Sequence, residues 1–172
     1  MSGDLADSSS FEPWLRGIVP GIDPVIGHLL RASQHVREDM ERTLSAVSSE
    51  AIWHAPDGVT PVGFHAKHIA GSTRRLCTYL AGEQLTAAQM AEMGNEGNGT
   101  ETGPELLANL NVSMDEYDAR LRSLNPTEFG AVREIGRMRL QTTAISLAIH
   151  IAEHSMRHVG LAIAASKLAR TS

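Results

Sequence analysis

The sequence predicts an all-α fold, a four-helix bundle with a long crossover between helices two and three. Three observations indicate this fold: four stretches carry apolar residues at helical spacing, no stretch shows convincing strand alternation, and 172 residues suit one domain with a real core. A bundle is the simplest architecture that buries four such stripes. We expect a flexible N-terminal segment over residues 1–20 and the bundle over residues 21–170.

Helix one is predicted from Pro24 to Val47. Asp23 is suited to cap its first N–H groups, and proline fits the first helical position. One helical face carries the residues that we expect in the core: Ile26, Leu29, Leu30, Ser33, Val36, Met40, Leu44 and Val47.

Helix two is predicted from Val62 to Ala81, after a turn signal at Pro56-Asp57-Gly58 and before a C-capping glycine, Gly82. The crossover that follows is the least regular part of the chain. Its first part, Thr86 to Met93, fits a short helix. The glycine-rich run from Gly94 to Gly103 fits a loop, and its length suggests that it covers a site.

Helix three is predicted from Gly103 to Ser123, because Asn125-Pro126 stops it. A second connection, Thr127 to Met138, leads to helix four, which we expect from Arg139 to Ala169. Its apolar stripe is formed by Leu140, Leu147, Ile151, Leu161, Ala165 and Leu168.

Helix four carries histidines at four-residue spacing, which places them on one face. His154 and His158 fall in the same arc as the apolar stripe, so we expect them to point into the bundle. A buried imidazole is costly unless it is hydrogen-bonded or ligated. One core histidine is usually structural. For two histidines that lie one turn apart on the buried face, the spacing supports metal ligation and a structural role equally well. His150 lies at the edge of this arc.

A third ligand is expected from helix two, where periodicity alone leaves His65 and His68 open. His65 is nearer the centre of the apolar arc, and His68 shares a face with Phe64. Cys77 is interpreted as a small buried hydrophobe. The other histidines are interpreted as ordinary polar residues: His28, His35 and His54.

A rival motif runs from His150 to His154 and reads H-x-x-E-H, the pattern in which two histidines bind zinc and the glutamate acts as base. Glu153 would be that base. We set this interpretation aside because no acidic residue follows His154 to complete the site, and because Glu153 projects about 100° away from His154.

Composition argues against several other classes. The net charge of -5, the pI of about 5.9 and an aromatic content of only 4% do not suit nucleic-acid binding. No apolar run is long enough to span a membrane, and the N-terminus lacks the pattern of a secretory signal. One cysteine rules out an internal disulfide. We expect a cytoplasmic protein.

Three segments resemble the DinB/YfiT-like superfamily of bacterial four-helix bundles. They are Trp53 to Gly58, His65 to Ser72, and His154 to Gly160, the last of which reads H-x-x-x-H-x-G. The helix order and the long crossover are also similar, so that the resemblance covers roughly residues 21–168.

The resemblance implies a divalent metal ion, most often nickel or zinc, held by one histidine of helix two and two of helix four. The helix-two ligand of that family precedes an Ile/Val-Ala pair, which points to His68, with His154 and His158 as its partners. One departure is Leu161, which stands where the family often has glutamine.

The resemblance also implies an activity, since some relatives are thiol-dependent transferases or isomerases that use thiols such as bacillithiol or mycothiol. We therefore expect an enzyme that acts on a small electrophilic molecule with a low-molecular-weight thiol. The alternative is a non-catalytic metal-binding or stress-response bundle, in which the metal is structural or absent. A homodimer is a further expectation from the resemblance.

Overall fold

The computed structural model describes residues 10–55 and 58–169. Its element order is α1 (Pro24–Ser45), α2 (Val62–Leu80), α3 (Ala87–Met93), α4 (Gly103–Ser123), β1 (Val132–Ile135), β2 (Leu140–Thr143) and α5 (Ala144–Ala169). The predicted helices one to four correspond to α1, α2, α4 and α5, and the short predicted helix of the crossover corresponds to α3. The all-α bundle is therefore confirmed, with a small hairpin added.

The four long helices form a bundle in which α1 and α2 each pack against both α4 and α5. This pairing places α1 and α2 at opposite corners, so the crossover from α2 to α4 joins neighbouring helices. Tyr117 lies in the core, and its hydroxyl donates a hydrogen bond of 2.7 Å to the carbonyl of Ala148. None of the described helices is both long and apolar enough to cross a membrane.

The helix boundaries follow the predicted local signals. Asp23 accepts hydrogen bonds from the first backbone N–H groups of α1, and the predicted stripe of that helix is buried throughout. Gly82 follows α2 at φ 85°, with its N–H bonded to Tyr79 and the next N–H bonded to Thr78. That pair of bonds is a Schellman cap. Pro56 and Asp57 of the predicted turn lie outside the described residues.

The predicted start of helix four at Arg139 is wrong. Residues 132–143 form an antiparallel hairpin instead, in which Ile135 pairs with Leu140 and a turn joins them with Gly136 and Arg139 at positive φ. Thr143 then caps α5, because its hydroxyl accepts a hydrogen bond from the N–H of Ser146. Leu140 is 61% exposed on the hairpin and takes no part in the core.

The buried face of α5 also differs from the predicted stripe. Leu161 and Leu168 are 47% and 43% exposed, whereas small side chains such as Ala148, Ala152 and Ser155 face the core. Because these side chains are small, α5 packs closely through them. Its buried face is therefore rotated relative to the predicted stripe. The sequence had indicated that His154 and His158 are buried in the bundle. They are half-buried instead, at the edge of the buried face.

The flexibility of the N-terminal segment stays a prediction. Residues 1–9 lie outside the described part, and residues 10–20 contain a 3₁₀ helix at Pro13–Leu15. The Arg16 guanidinium pairs with Glu38 of α1 and lowers the pKa of that carboxyl.

Candidate metal centre

Two histidines of α2 face α5, at different depths. His65 is only 4% exposed, while His68, one turn further along, is half-buried. The ring of Phe64 stacks on that of His68 with centroids 5.3 Å apart, which restricts the imidazole to one orientation. Both histidines that periodicity left open as the third ligand, His65 and His68, therefore face α5.

On α5, His154 and His158 stand one turn apart with ring centroids 4.7 Å apart. Their nitrogens meet those of α2 in two pairs. His68 Nε2 lies 3.0 Å from His154 Nε2, and His65 Nδ1 lies 3.0 Å from His158 Nδ1. The facing of α2 and α5 thus produces a cluster of four imidazoles.

Three of these histidines are arranged so that they can hold one metal ion. His68, His154 and His158 each offer one ring nitrogen, and the three atoms lie within 4.8 Å of one another. Two nitrogens bound to one zinc ion at about 2.0–2.1 Å are about 2.9 Å apart at a right angle and about 3.3 Å apart at the tetrahedral angle. The 3.0 Å separation between His68 and His154 falls in that interval. These two histidines are therefore spaced as ligands of one divalent transition metal are, and His158 lies close enough to join them.

Three imidazoles of the cluster, His65, His154 and His158, are held in the neutral form that binds metals. Burial lowers the pKa of His65 to about 4 and that of His158 to about 4, and the neighbouring His68 adds to both shifts. The pKa of His154 is lowered as well, first by burial and then by the charges of His68 and other cationic neighbours. Near neutral pH these rings carry a lone pair, so little proton competition opposes binding.

A carboxylate of the glycine-rich loop reaches the cluster from outside. Glu96 is 6% exposed, and its Oε2 lies 2.6 Å from His68 Nδ1. Its other oxygen lies 2.7 Å from Nη2 of Arg75, a buried arginine of α2. Burial raises the pKa of Glu96, but the hydrogen bonds and charges of His68 and Arg75 outweigh it, and the pKa is lowered.

Sequence reasoning missed both Glu96 and Arg75. Glu96 lies in a loop that has no periodicity from which its direction can be read. A usable signal was present at Arg75, which is seven residues after His68 and therefore on the same face of α2. A charged residue on a buried face needs a partner, and that requirement points to an acid elsewhere in the chain.

The same loop is fastened to α2 and to the segment before it. Lys67 donates a hydrogen bond of 3.0 Å to the carbonyl of Asn98 and forms an ion pair of 2.6 Å with Glu101. The indole N–H of Trp53 donates to the carbonyl of Glu101 at 2.9 Å. Trp53 is therefore an anchor of the loop.

His150 and Cys77 are not members of the three-histidine group, although the ring centroid of His150 lies 5.7 Å from that of His154. His150 is on the exposed flank of α5, where its Nδ1 is 2.9 Å from Glu153 Oε1. Glu153 is thus engaged outside the site, as expected when the H-x-x-E-H interpretation was set aside. Burial raises the pKa of the Cys77 thiol to about 12, so it is not a reactive thiolate.

The fold and the cluster together define a helical bundle whose second and last long helices contribute histidines that can share one metal ion. A family model for the DinB superfamily matches residues 32–162, more than half of the chain, and this range contains His68, Glu96, His154 and His158. The chain belongs to the DinB superfamily. A comparison with curated proteins finds no match.

Proposed function

We propose that this protein is a divalent-metal-dependent enzyme, a thiol-dependent transferase or isomerase that acts on a small electrophilic molecule. One observation carries the proposal: one ring nitrogen each from His68, His154 and His158 lies within 4.8 Å of the other two. Nickel or zinc is the ion that we propose, since imidazole suits both.

The number of ligands favours a catalytic over a structural site. Structural zinc sites are closed by four protein ligands, whereas catalytic sites keep a position for water or substrate. Among the described residues, the group that can share one ion has three members, each of them half-buried rather than sealed. The three histidines are therefore partly exposed to solvent, as a site that takes up a small molecule requires.

The chemistry follows from the donor set. A divalent ion in such a site acts as a Lewis acid and favours the thiolate form of a bound thiol, which is the nucleophile. His68, His154 and His158 would hold the ion, and Phe64 and Glu96 contact His68 and keep it in place. The protein's own thiol does not compete, because Cys77 is buried and its pKa is raised.

Metal content tests the first half of the proposal. The protein, refolded or dialysed with Ni²⁺ or Zn²⁺, should retain about one ion per chain by elemental analysis. His68→Ala, His154→Ala and His158→Ala should each lose most of it, because two imidazoles hold a divalent ion far less tightly than three. His150→Ala is the matched control, since it removes an imidazole of α5 from outside the group, and it should retain the metal. Equal, negligible metal in wild type and variants would refute the site.

Turnover tests the second half. The metal-loaded protein should consume thiol in a panel that pairs bacillithiol, mycothiol and glutathione with electrophilic acceptors, and the His154→Ala variant should not. Metal binding without turnover of any pair would favour a non-catalytic metal-binding bundle. The homodimer and the cytoplasmic location stay predictions.

A further inference from the structure

Glu96 holds two different groups of α2 with its two carboxylate oxygens. Oε2 is 2.6 Å from His68 Nδ1, and Oε1 is 2.7 Å from Arg75 Nη2. All three side chains are at most about one fifth exposed, so solvent screens these contacts weakly. Arg75 therefore fixes one carboxylate oxygen, and the other oxygen is directed at the imidazole of His68.

The contact decides which nitrogen of His68 is available to a metal. A carboxylate is an acceptor only, so Nδ1 must carry the proton that it shares with Glu96. A neutral imidazole has one N–H, and Nε2 is then left with its lone pair. Nε2 is the nitrogen that lies 3.0 Å from His154. The contact thus directs the lone pair toward the proposed centre.

Gly71 makes the approach of Glu96 possible. A side-chain carbon at this position would meet Glu96 Oε1, and it would lie 2.9 Å from Arg75 Nη1. The surface of α2 is therefore open where the carboxylate and the guanidinium lie side by side. Any larger residue would push the carboxylate away from one of its two partners.

We propose that Glu96 is a positioning residue of the proposed metal centre. The glycine-rich loop brings Glu96 to His68, and Arg75 holds its carboxylate in place. The proposal rests on the proposed function for the identity of the centre. Glu96 fixes the tautomer and orientation of His68 and raises its basicity as a ligand. Because the loop carries this group, a seated loop and a bound metal favour each other, and this coupling is reciprocal.

Metal affinity is the first test, measured for Ni²⁺ by competition with a chromophoric chelator. Glu96→Gln keeps the shape of the side chain but removes its charge, and it should weaken binding roughly 10- to 100-fold. Gly71→Ala should weaken it in the same direction while leaving every polar group of the site in the chain. Glu153→Gln is the matched control, because it alters an equivalent histidine–glutamate contact at His150, and it should bind as wild type does. Wild-type affinity in both Glu96→Gln and Gly71→Ala would overturn the proposal.

The tautomer of His68 is the second test, read from the ring ¹⁵N shifts of the metal-free protein. Wild type should show His68 protonated at Nδ1, and Gly71→Ala should lose that preference. A general structural defect would not change one ring alone. This measurement needs no metal: a wild type that binds no ion but shows the Nδ1 tautomer defeats the proposed function and leaves standing only the orientation of His68 by Glu96. The Nε2-protonated tautomer in wild type would overturn the positioning role.

Discussion

At the scale of single residues, glycines decide how closely the parts of the candidate site approach one another. Gly71 lies beside Glu96 and Arg75, and Gly63 and Gly99 both lie against the Trp53 ring. These contacts with the start of α2 and with the glycine-rich loop clamp the indole. A sequence shows that these residues are glycines, but it does not show which large side chain uses the space.

Gly63→Ala tests the clamp. The added carbon would lie 2.8 Å from the Trp53 ring, closer than side-chain carbons pack, so the indole or α2 must move. We expect a loss of about 1–3 kcal/mol in the free energy of unfolding, together with a shift in tryptophan fluorescence, both measured in urea titrations. Gly160→Ala is the control: it also lies in a helix, and an added carbon meets nothing within 4 Å. It should be neutral or stabilise by up to about 1 kcal/mol. Equal stability of the two variants would contradict the clamp.

The candidate ligands and the residues that contact them differ in how far the sequence predicts them. His154 and His158 were predictable because helical periodicity places residues four apart on one face, whatever the tertiary structure. The choice of His68 over His65 came from the resemblance. Periodicity could not make this choice, because both side chains face α5 and His65 is the more deeply buried of the two. Glu96 was not predictable, since its direction is set by long-range contacts with Arg75 and His68.

At the scale of elements, the helices were predicted correctly wherever a long apolar stripe and a cap agreed. The prediction failed at the hairpin because strands of four residues are too short for alternation to be seen, and because Leu140 happened to extend the helical period of α5. A signal existed in Thr142 and Thr143, since β-branched residues favour strands and threonine favours a cap. The hairpin is docked through Arg133, which donates to the carbonyl of Leu80 at 2.7 Å.

The glycine-rich loop is the element on which the proposed function most depends, and Lys67→Met tests how it is held to α2. The variant keeps an unbranched side chain but removes the hydrogen bond to Asn98, the ion pair with Glu101 and the ammonium over the Trp53 ring. These contacts together contribute about 1 kcal/mol, so the backbone amides of residues 95–101 should exchange hydrogen roughly three- to tenfold faster. Lys167→Met, at an exposed position near the end of α5, should leave their exchange unchanged. Unaltered exchange in Lys67→Met would show that Trp53 and Glu96 hold the loop without the lysine.

At the scale of the whole molecule, the bundle places the candidate site between two helices that are far apart in the sequence. Helices α1 and α4 support α2 and α5 through an apolar core, and the crossover returns over the site before α4 begins. Four imidazoles are thereby gathered in a partly apolar setting. That arrangement favours metal binding, but it makes the metal-free protein sensitive to acid.

The acid sensitivity can be predicted with its sign. Burial lowers the pKa of His65 from 6.5 to about 4 in the folded protein, so between these values the unfolded chain binds a proton that the folded chain does not. The free energy of unfolding should therefore fall as pH falls from 6.5 to 4, and remain level with respect to this group above 6.5. The buried His65 alone contributes a slope of up to about 1.4 kcal/mol per pH unit, and His158 adds to it. Urea unfolding in the presence of a chelator measures the slope. His65→Gln should reduce it, because glutamine binds no proton in either state. His150→Gln, on the exposed flank, should not, and equal slopes for wild type and His65→Gln would refute the assignment.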